Sequence, residues 1–369
     1  MTRAPSFAPE LQAYMAGRNT AEITIPVIQP AGPFLDMAGE DLRRRIFLTE
    51  SETGETLCLR PEFTIPVCLS HIANGAHTPA RHAYLGEVYR QRRSGGTGFY
   101  QAGIEDLGDP DTASADARSL TEAAEMVRLA APNARLDILL GDQALFESVL
   151  KALGLPRGWR MRLARTFGNT AQLADTLASL AGERPLPAVS ADIAGLAREA
   201  DQARLTAAIA DEMQANGYSA HAGRQPGDIA ARLIEKTELA AVRLDTRHLA
   251  ALTEFLAISA PLSEAPQRLE VFAKKAALDI GPALTAFRRR STDIARRGLP
   301  LETVTYDAAF GRPLDYYTGL VFEIRSPQSA AGPLAGGGRY DRLLTLLGAE
   351  KPIPGVGFSL WLDRLEALS

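Results

Sequence analysis

The stretch YLGEVYRQRRSGGTGFYQAGIE, residues 84–105, places Arg90, Arg92 and Arg93 within four positions. It reads as an apolar strand, a Gly-rich turn and a second apolar strand, a hairpin whose arginines suit a phosphate-bearing ligand. Glu87, Gln101 and Glu105 lie on the same hairpin. Three further segments concentrate polar residues beside strand formers. LRPEFT carries Arg60 and Glu62, and GRPLDYYTG carries Arg312, Asp315, Tyr316 and Tyr317. AGGGRYD and the closing GFSLWLDR supply Gly336, Gly337, Gly338, Arg339, Tyr340 and Arg364. Taken singly, each is an ordinary strand edge, ion pair, turn or core-and-rim pair. Taken together they have a common chemistry. Glu62, Gln101 and Glu105 are acceptors suited to an α-ammonium group or an imidazole N–H. Tyr316 or Tyr317 offers an apolar wall with a hydroxyl handle. The glycines let backbone approach a small ligand closely. The combination is a pocket for an amino acid, with arginines at its mouth.

The elements that must position these residues follow from pattern. Residues 1–20 read as a short helix with its lead-in. EITIPVIQP reads as a strand interrupted at Pro26, and residues 46–64 as two strands about the turn SETGE. PEFTIPVCLSHIAN reads as a helix with Pro61 near its start. The hairpin follows, then a helix over 111–130 with Asp and Thr at its N-terminal end, a compact strand over 134–142 and the helix QALFESVLKALG. Strand formers then thin out. The spacing over 171–259 predicts a mainly helical insertion, rich in Ala, Leu, Arg and Glu, within a discontinuous domain made of 1–170 and 260–369. Strands resume at VTYDAAF and GLVFEIRSP, GPLAGGGRYDRLLTLLG reads as a Gly turn opening a helix, and GVGFSLWLDRLEAL closes the chain as strand then helix. There is no regular βαβ alternation, so an antiparallel α+β fold is expected rather than a doubly wound sheet.

The totals exclude several classes. The chain has 369 residues, 23% of them charged, with a net charge of −4 and a pI of about 5.9. A general nucleic-acid grip would need a basic face instead. The two cysteines, Cys58 and Cys68, and the histidines His71, His77, His82, His221 and His248 show no metal-ligand spacing, so neither metal nor cofactor is expected. The N-terminus lacks a signal-peptide pattern and no run is long and apolar enough to span a membrane. A cytoplasmic location is the expectation.

The motifs together resemble the catalytic core of histidyl-tRNA synthetase, a class II aminoacyl-tRNA synthetase. EITIPVIQP is similar to the family's motif 1, the dimer element. RHAYLGEVYR through FYQAGIEDLG is similar to motif 2, and GVGFSLWLDRL to motif 3, with Arg364 as its arginine. LRPEFT and GRPLDYYTGLVFE resemble the segments most characteristic of the histidine-specific branch. The resemblance implies a class II antiparallel sheet flanked by helices, with a helical insertion. It also implies histidine contacts at Glu62, Gln101, Glu105, Arg312, Tyr316 and Tyr317, and candidate phosphate or anion contacts at Arg90, Arg92 and Arg364.

Three departures redirect the functional expectation. The synthetase tripeptide Arg-x-Glu is Arg90-Gln91-Arg92 here, which puts a cation where adenine's amino group needs an acceptor. The turn SGGTG is short, and Tyr100 stands in place of the family's His. The sequence ends five residues after Arg364, where a synthetase continues into its anticodon-binding domain, so no such domain is expected. This pattern resembles the branch formed by ATP phosphoribosyltransferase regulatory subunits, which look like synthetases without aminoacylation. That resemblance implies a non-catalytic chain, dimeric within a hetero-octamer. It implies a short-form ATP phosphoribosyltransferase catalytic subunit as partner and L-histidine as ligand, and neither tRNA nor membrane. It implies a place in the first step of histidine biosynthesis, with histidine feedback. Two alternatives are a histidine-adenylating enzyme acting on a small acceptor or carrier, supported by Arg90, Arg312 and Arg364, and a tRNA-sensing module.

Overall fold

Alternation along the long strands sets the architecture. In a computed structural model the strands run in chain order as β1 (Ala21–Glu22), β2 (Ile28–Pro30), β3 (Leu48–Glu50), β4 (Thr56–Leu59), β5 (Ala80–Tyr89), β6 (Gly98–Leu107), β7 (Asp137–Asp142), β8 (Ser259–Pro261), β9 (Val304–Asp307), β10 (Leu320–Arg325), β11 (Ala335–Arg339) and β12 (Gly355–Trp361). The structure describes residues 3–369 apart from 38, 76–77, 93–95, 183–188, 216–224, 242–243, 313 and 315. Arg93, Asp315, His77 and His221, singled out above, therefore lie outside the described residues.

One sheet has the order β1-β5-β6-β12-β11-β10-β7-β9-β8, and a small second sheet the order β2-β4-β3. The large sheet is antiparallel except where β1 meets β5 and β7 meets β9. Its two faces are segregated by the period of two. On β6, Ala102 and Ile104 enter the main apolar core. Gln101, Gly103 and Glu105 take the opposite face, opposite Trp361, Ser359 and Gly357 of β12. On β10, Phe322 and Ile324 join the core while Val321 joins the cluster on the other face.

The core face is covered by the helix Thr112–Ala130, started by Asp111, whose side chain accepts from the Ser114 N–H. Ala117, Ala123 and Ala124 keep that helix thin where it lies on the sheet. Helix Gly281–Arg296 crosses it through a buried ion network. Arg290 donates to Asp116 (3.0 Å) and Asp142, and Arg339 donates to the other oxygen of Asp116 (2.7 Å). Breaking such a buried pair from one side costs about 3–5 kcal/mol.

Between residues 170 and 256 the described chain is helical. Helices Thr170–Ala181 and Thr246–Leu256 send Leu173, Leu180, Leu252 and Phe255 into the main core. The three helices between them enclose a separate cluster containing Ile193, Leu205, Ile209 and Leu233.

Three expectations are corrected. EITIPVIQP is not one interrupted strand. Its two ends join different sheets, because Pro26 lacks an N–H to continue a ladder. The AGGGR stretch is not a turn but β11, a fully buried strand in the middle of the sheet. Glycine is required there by what lies above and below, not by a bend. Finally, Ser259–Pro261 forms the edge strand β8, where the sequence suggested only a boundary. Three residues with a terminal proline carry too little pattern to read.

Candidate functional site

The polar face of the sheet, opposite the main core, forms the floor of a cavity of about 200 Å³. Sites for drug-sized ligands run to roughly 300–1,000 Å³, so this one suits something of amino-acid size. Of the residues expected from sequence, Glu62, Gln101, Arg312, Tyr316, Tyr317, Arg90 and Arg364 all line it. They come from seven positions spread over some 300 residues, and only the sheet brings them together.

Each is held by its local element. Glu62 precedes the helix Thr64–Ala73 and accepts the backbone N–H groups of Thr64 (2.6 Å) and Ile65 (2.9 Å), capping free donors at the helix start. Burial pushes its carboxyl above the usual range, against the pull of those N–H groups and of Arg90. Gln101 is 1% exposed, and its Oε1 has no hydrogen-bond partner among the described residues. A buried carbonyl left unpaired costs about 1–3 kcal/mol, which a ligand N–H at the cavity wall would recover.

Arg312 donates from Nη1 to the Tyr317 hydroxyl (2.9 Å), and its Nε lies 3.4 Å from a carboxylate oxygen of Glu323 on β10. The guanidinium sits directly on Gly336, where an added Cβ would meet Cζ at 2.8 Å. Tyr316 stacks at a tilt on Tyr317 (centroids 4.9 Å) and edge-on to Tyr340 (6.0 Å). Arg90 donates to the Pro61 carbonyl (2.7 Å), and burial lowers its pKa to about 10. Arg364 donates to the Pro333 carbonyl (2.6 Å) and lies over the Trp361 ring.

Two expected residues are placed elsewhere. Glu105 lies beneath the cavity wall, fully buried, and does not line it. Its carboxyl is caged by hydroxyls: Thr64 donates at 2.7 Å, Tyr340 donates to the second oxygen, and Tyr84 stands at 3.4 Å. It also presses on Gly357 of the neighbouring strand, where no side chain would fit. Burial pushes it up to about 8, with those hydroxyls pulling the other way. Arg92 also leaves the cavity. It pairs with Asp363 (2.9 Å) and lies 3.7 Å over the Phe99 ring. The cation at the position where the resemblance sets an acceptor is thus drawn off to a carboxylate and an aromatic face.

Other residues singled out in sequence serve the frame. Arg60, buried, donates to the carbonyls of Ile25 and Glu87 and lies over the Phe63 ring. Arg339 points to the core face, into the Asp116 network, because it shares the parity of Gly337 rather than of Gly336. Residues not expected from sequence complete the wall: Thr64, Glu323, Ser359 and Trp361. Register with Gln101 and Glu105 marks Trp361 and Gly357, but no local pattern marks Glu323 or Asp363. Among the described residues no cluster could hold a metal ion, and no helix is long and apolar enough to cross a membrane.

Against known proteins, residues 21–225 and 228–365 match the family model described as histidyl-tRNA synthetase. A Mesorhizobium japonicum protein named ATP phosphoribosyltransferase regulatory subunit is 59% identical over 367 residues, covering 100% of this chain and 98% of its own. One of the same name from Agrobacterium fabrum is 57% identical, covering 99% and 97%. Among solved structures, a Bacillus halodurans chain described as an ATP phosphoribosyltransferase regulatory subunit/histidyl-tRNA synthetase aligns with a TM-score of 0.67 at 18% identity, covering 100% of this chain and 81% of that one. Histidyl-tRNA synthetase from Nostoc sp. PCC 7120 aligns at 0.62 and 16% identity, covering 97% and 69%. At those identities the solved structures establish the class II synthetase fold.

Proposed function

The chain belongs to the ATP phosphoribosyltransferase regulatory subunits within the histidyl-tRNA synthetase-like family, and from that premise we propose that it is the non-catalytic partner of a short-form catalytic subunit in histidine biosynthesis. It activates that subunit, and free L-histidine in the synthetase-like pocket feeds back on the complex. It assembles with itself as a dimer within a hetero-octamer.

The observation that carries the ligand is the unpartnered Gln101 Oε1 in a cavity also lined by Glu62, Arg312, Tyr316 and Tyr317. Histidine brings N–H donors for the two acceptors, a carboxylate for a guanidinium and a flat ring for the tyrosines. The observation against adenylation is Arg92, engaged by Asp363 rather than offering an acceptor to adenine. Regulation then needs only a difference in histidine affinity between two states of the complex. A tenfold difference corresponds to about 1.4 kcal/mol.

The test is reconstitution. ATP phosphoribosyltransferase turnover of a cognate short catalytic subunit is measured with and without this chain, then against rising histidine. The expected result is a large rise in rate with the chain and loss of that rise as histidine saturates. An unchanged rate rejects the activator role. Equilibrium dialysis of histidine against the chain alone separates binding in this pocket from binding on the partner. Histidine-dependent ATP–pyrophosphate exchange by the purified chain is expected to be absent.

A further inference from the structure

A second cavity, of about 500 Å³, lies on the far side of the Arg312, Tyr316 and Tyr317 wall. One of its sides is the helix Arg157–Thr166. That helix buries Trp159 and Leu163 in the core. It turns Arg157, Arg160, Met161, Ala164 and Arg165 to the cavity, the i, i+3, i+4, i+7, i+8 spacing of one helical face. Arg342 stands opposite, 3.2 Å from Glu147.

The charge here is unusual for this chain. Four arginines and Arg312 converge on one concave surface whose single carboxylate among the described residues is Glu147, in a protein of net charge −4. Arg157, Arg160 and Arg165 make no ion pair among the described residues, and the Arg160 Nε is buried with no acceptor. Fold stability does not account for this, since like charges repel and a buried unpaired donor costs free energy. Apart from Gln143 and Thr318, the remaining lining is apolar and aromatic, including Phe167 and Leu346.

We propose that this cleft is a second ligand site, distinct from the first cavity, for a small phosphate-bearing molecule. Guanidinium forks match phosphate oxygens in pairs, and a phosphate, with three oxygens and up to two charges, engages several arginines at once where a carboxylate engages one. The aromatic and apolar remainder of the wall favours a phosphate attached to a flat ring, so a nucleotide uses both halves of the lining. The site stands whether or not histidine occupies the first cavity.

Two probes test it on the full chain by calorimetry at physiological ionic strength: inorganic pyrophosphate, which carries phosphate alone, and ADP, which adds the ring. One saturable site is expected for each, tighter for ADP. Arg157→Ala/Arg160→Ala lowers both affinities at least tenfold with the melting temperature unchanged, while Arg198→Ala, on an exposed helix of residues 191–199, leaves them as they are. Should the double variant fail to fold, Arg160→Lys keeps the charge, loses the fork and still weakens pyrophosphate binding. The proposal is overturned if neither probe saturates, or if binding is lost with Arg364→Ala but kept in the double variant. It is equally overturned if arginine-dependent binding occurs only with an acidic peptide or an RNA.

Discussion

Arg92 and Asp363 form an ion pair at 2.9 Å across 271 residues of chain, with the Arg92 guanidinium over the Phe99 ring. Motif 2 and motif 3 are thereby tied together at the rim of the cavity. Both side chains are partly solvated, at 22% and 34% exposure, so the pair itself is worth little, about 0–1 kcal/mol. In a double-mutant cycle of Arg92→Ala and Asp363→Ala read by urea unfolding, the coupling is expected to stay below about 1 kcal/mol. Histidine affinity of Arg92→Ala is expected to match that of the parent chain. A tenfold loss would place Arg92 in the ligand site after all.

Gln101 is expected to separate binding from stability. Gln101→Leu removes a buried carbonyl that has no partner among the described residues, so its melting temperature should hold or rise. Its histidine affinity should fall at least tenfold, as seen by equilibrium dialysis. Equal histidine binding by both chains would exclude this wall as the ligand's contact.

Gly336 makes room for Arg312. Gly336→Ala sets a methyl group 2.8 Å from the guanidinium carbon, and the flexible side chain yields more readily than the strand. The expected outcome is a stability loss of about 1–3 kcal/mol by urea melt together with weakened histidine binding. Gly195→Ala, which meets open space inside the helix Ala191–Glu199, serves as the comparison and should hold or raise stability.

Glu105 should make stability fall as pH rises. Its folded pKa is raised from 4.5 to about 8 by burial, so the folded state holds a proton that the unfolded chain releases. The stability tied to that proton is complete below about pH 4.5 and is lost as pH climbs through about 8. Glu105→Gln abolishes the dependence. Relative to the parent, the variant should gain on the order of a few kcal/mol between pH 5 and pH 9, measured by denaturant unfolding at each pH. A difference that stays flat with pH would show that Glu105 is ionised throughout.

Asp116 joins Arg290 and Arg339 on the core face and lines neither cavity. Asp116→Ala leaves two buried guanidinium groups short of a partner and should cost about 3–5 kcal/mol in urea unfolding. Retained histidine binding in the folded fraction would confirm that this network serves the frame alone.

Local pattern was enough for the hairpin, the helix Thr112–Ala130 and the two strands around SETGE, since alternation, capping and turn residues are nearest-neighbour effects. It failed where a strand owes its existence to its neighbours. The glycines of β11 read as a turn, yet in the sheet they leave space for Arg312 above and for Phe358 below. The same parity sorted the arginines: Arg339 turned to the core, and Arg312, from a loop, folded over Gly336.

By itself the sequence determined which residue types meet: acceptors at 62 and 101, tyrosines at 316 and 317, arginines at 90, 312 and 364, carried on segments recognisable by their spacing. The tertiary structure alone decided their stations. It set Glu105 under the wall within a cage of hydroxyls, drew Arg92 away to Asp363, and exposed an arginine-lined cleft behind the tyrosines. The reason is range. Propensity and periodicity act over a few residues, whereas burial, hydrogen-bond satisfaction and charge pairing are settled between residues that the chain alone keeps hundreds of positions apart.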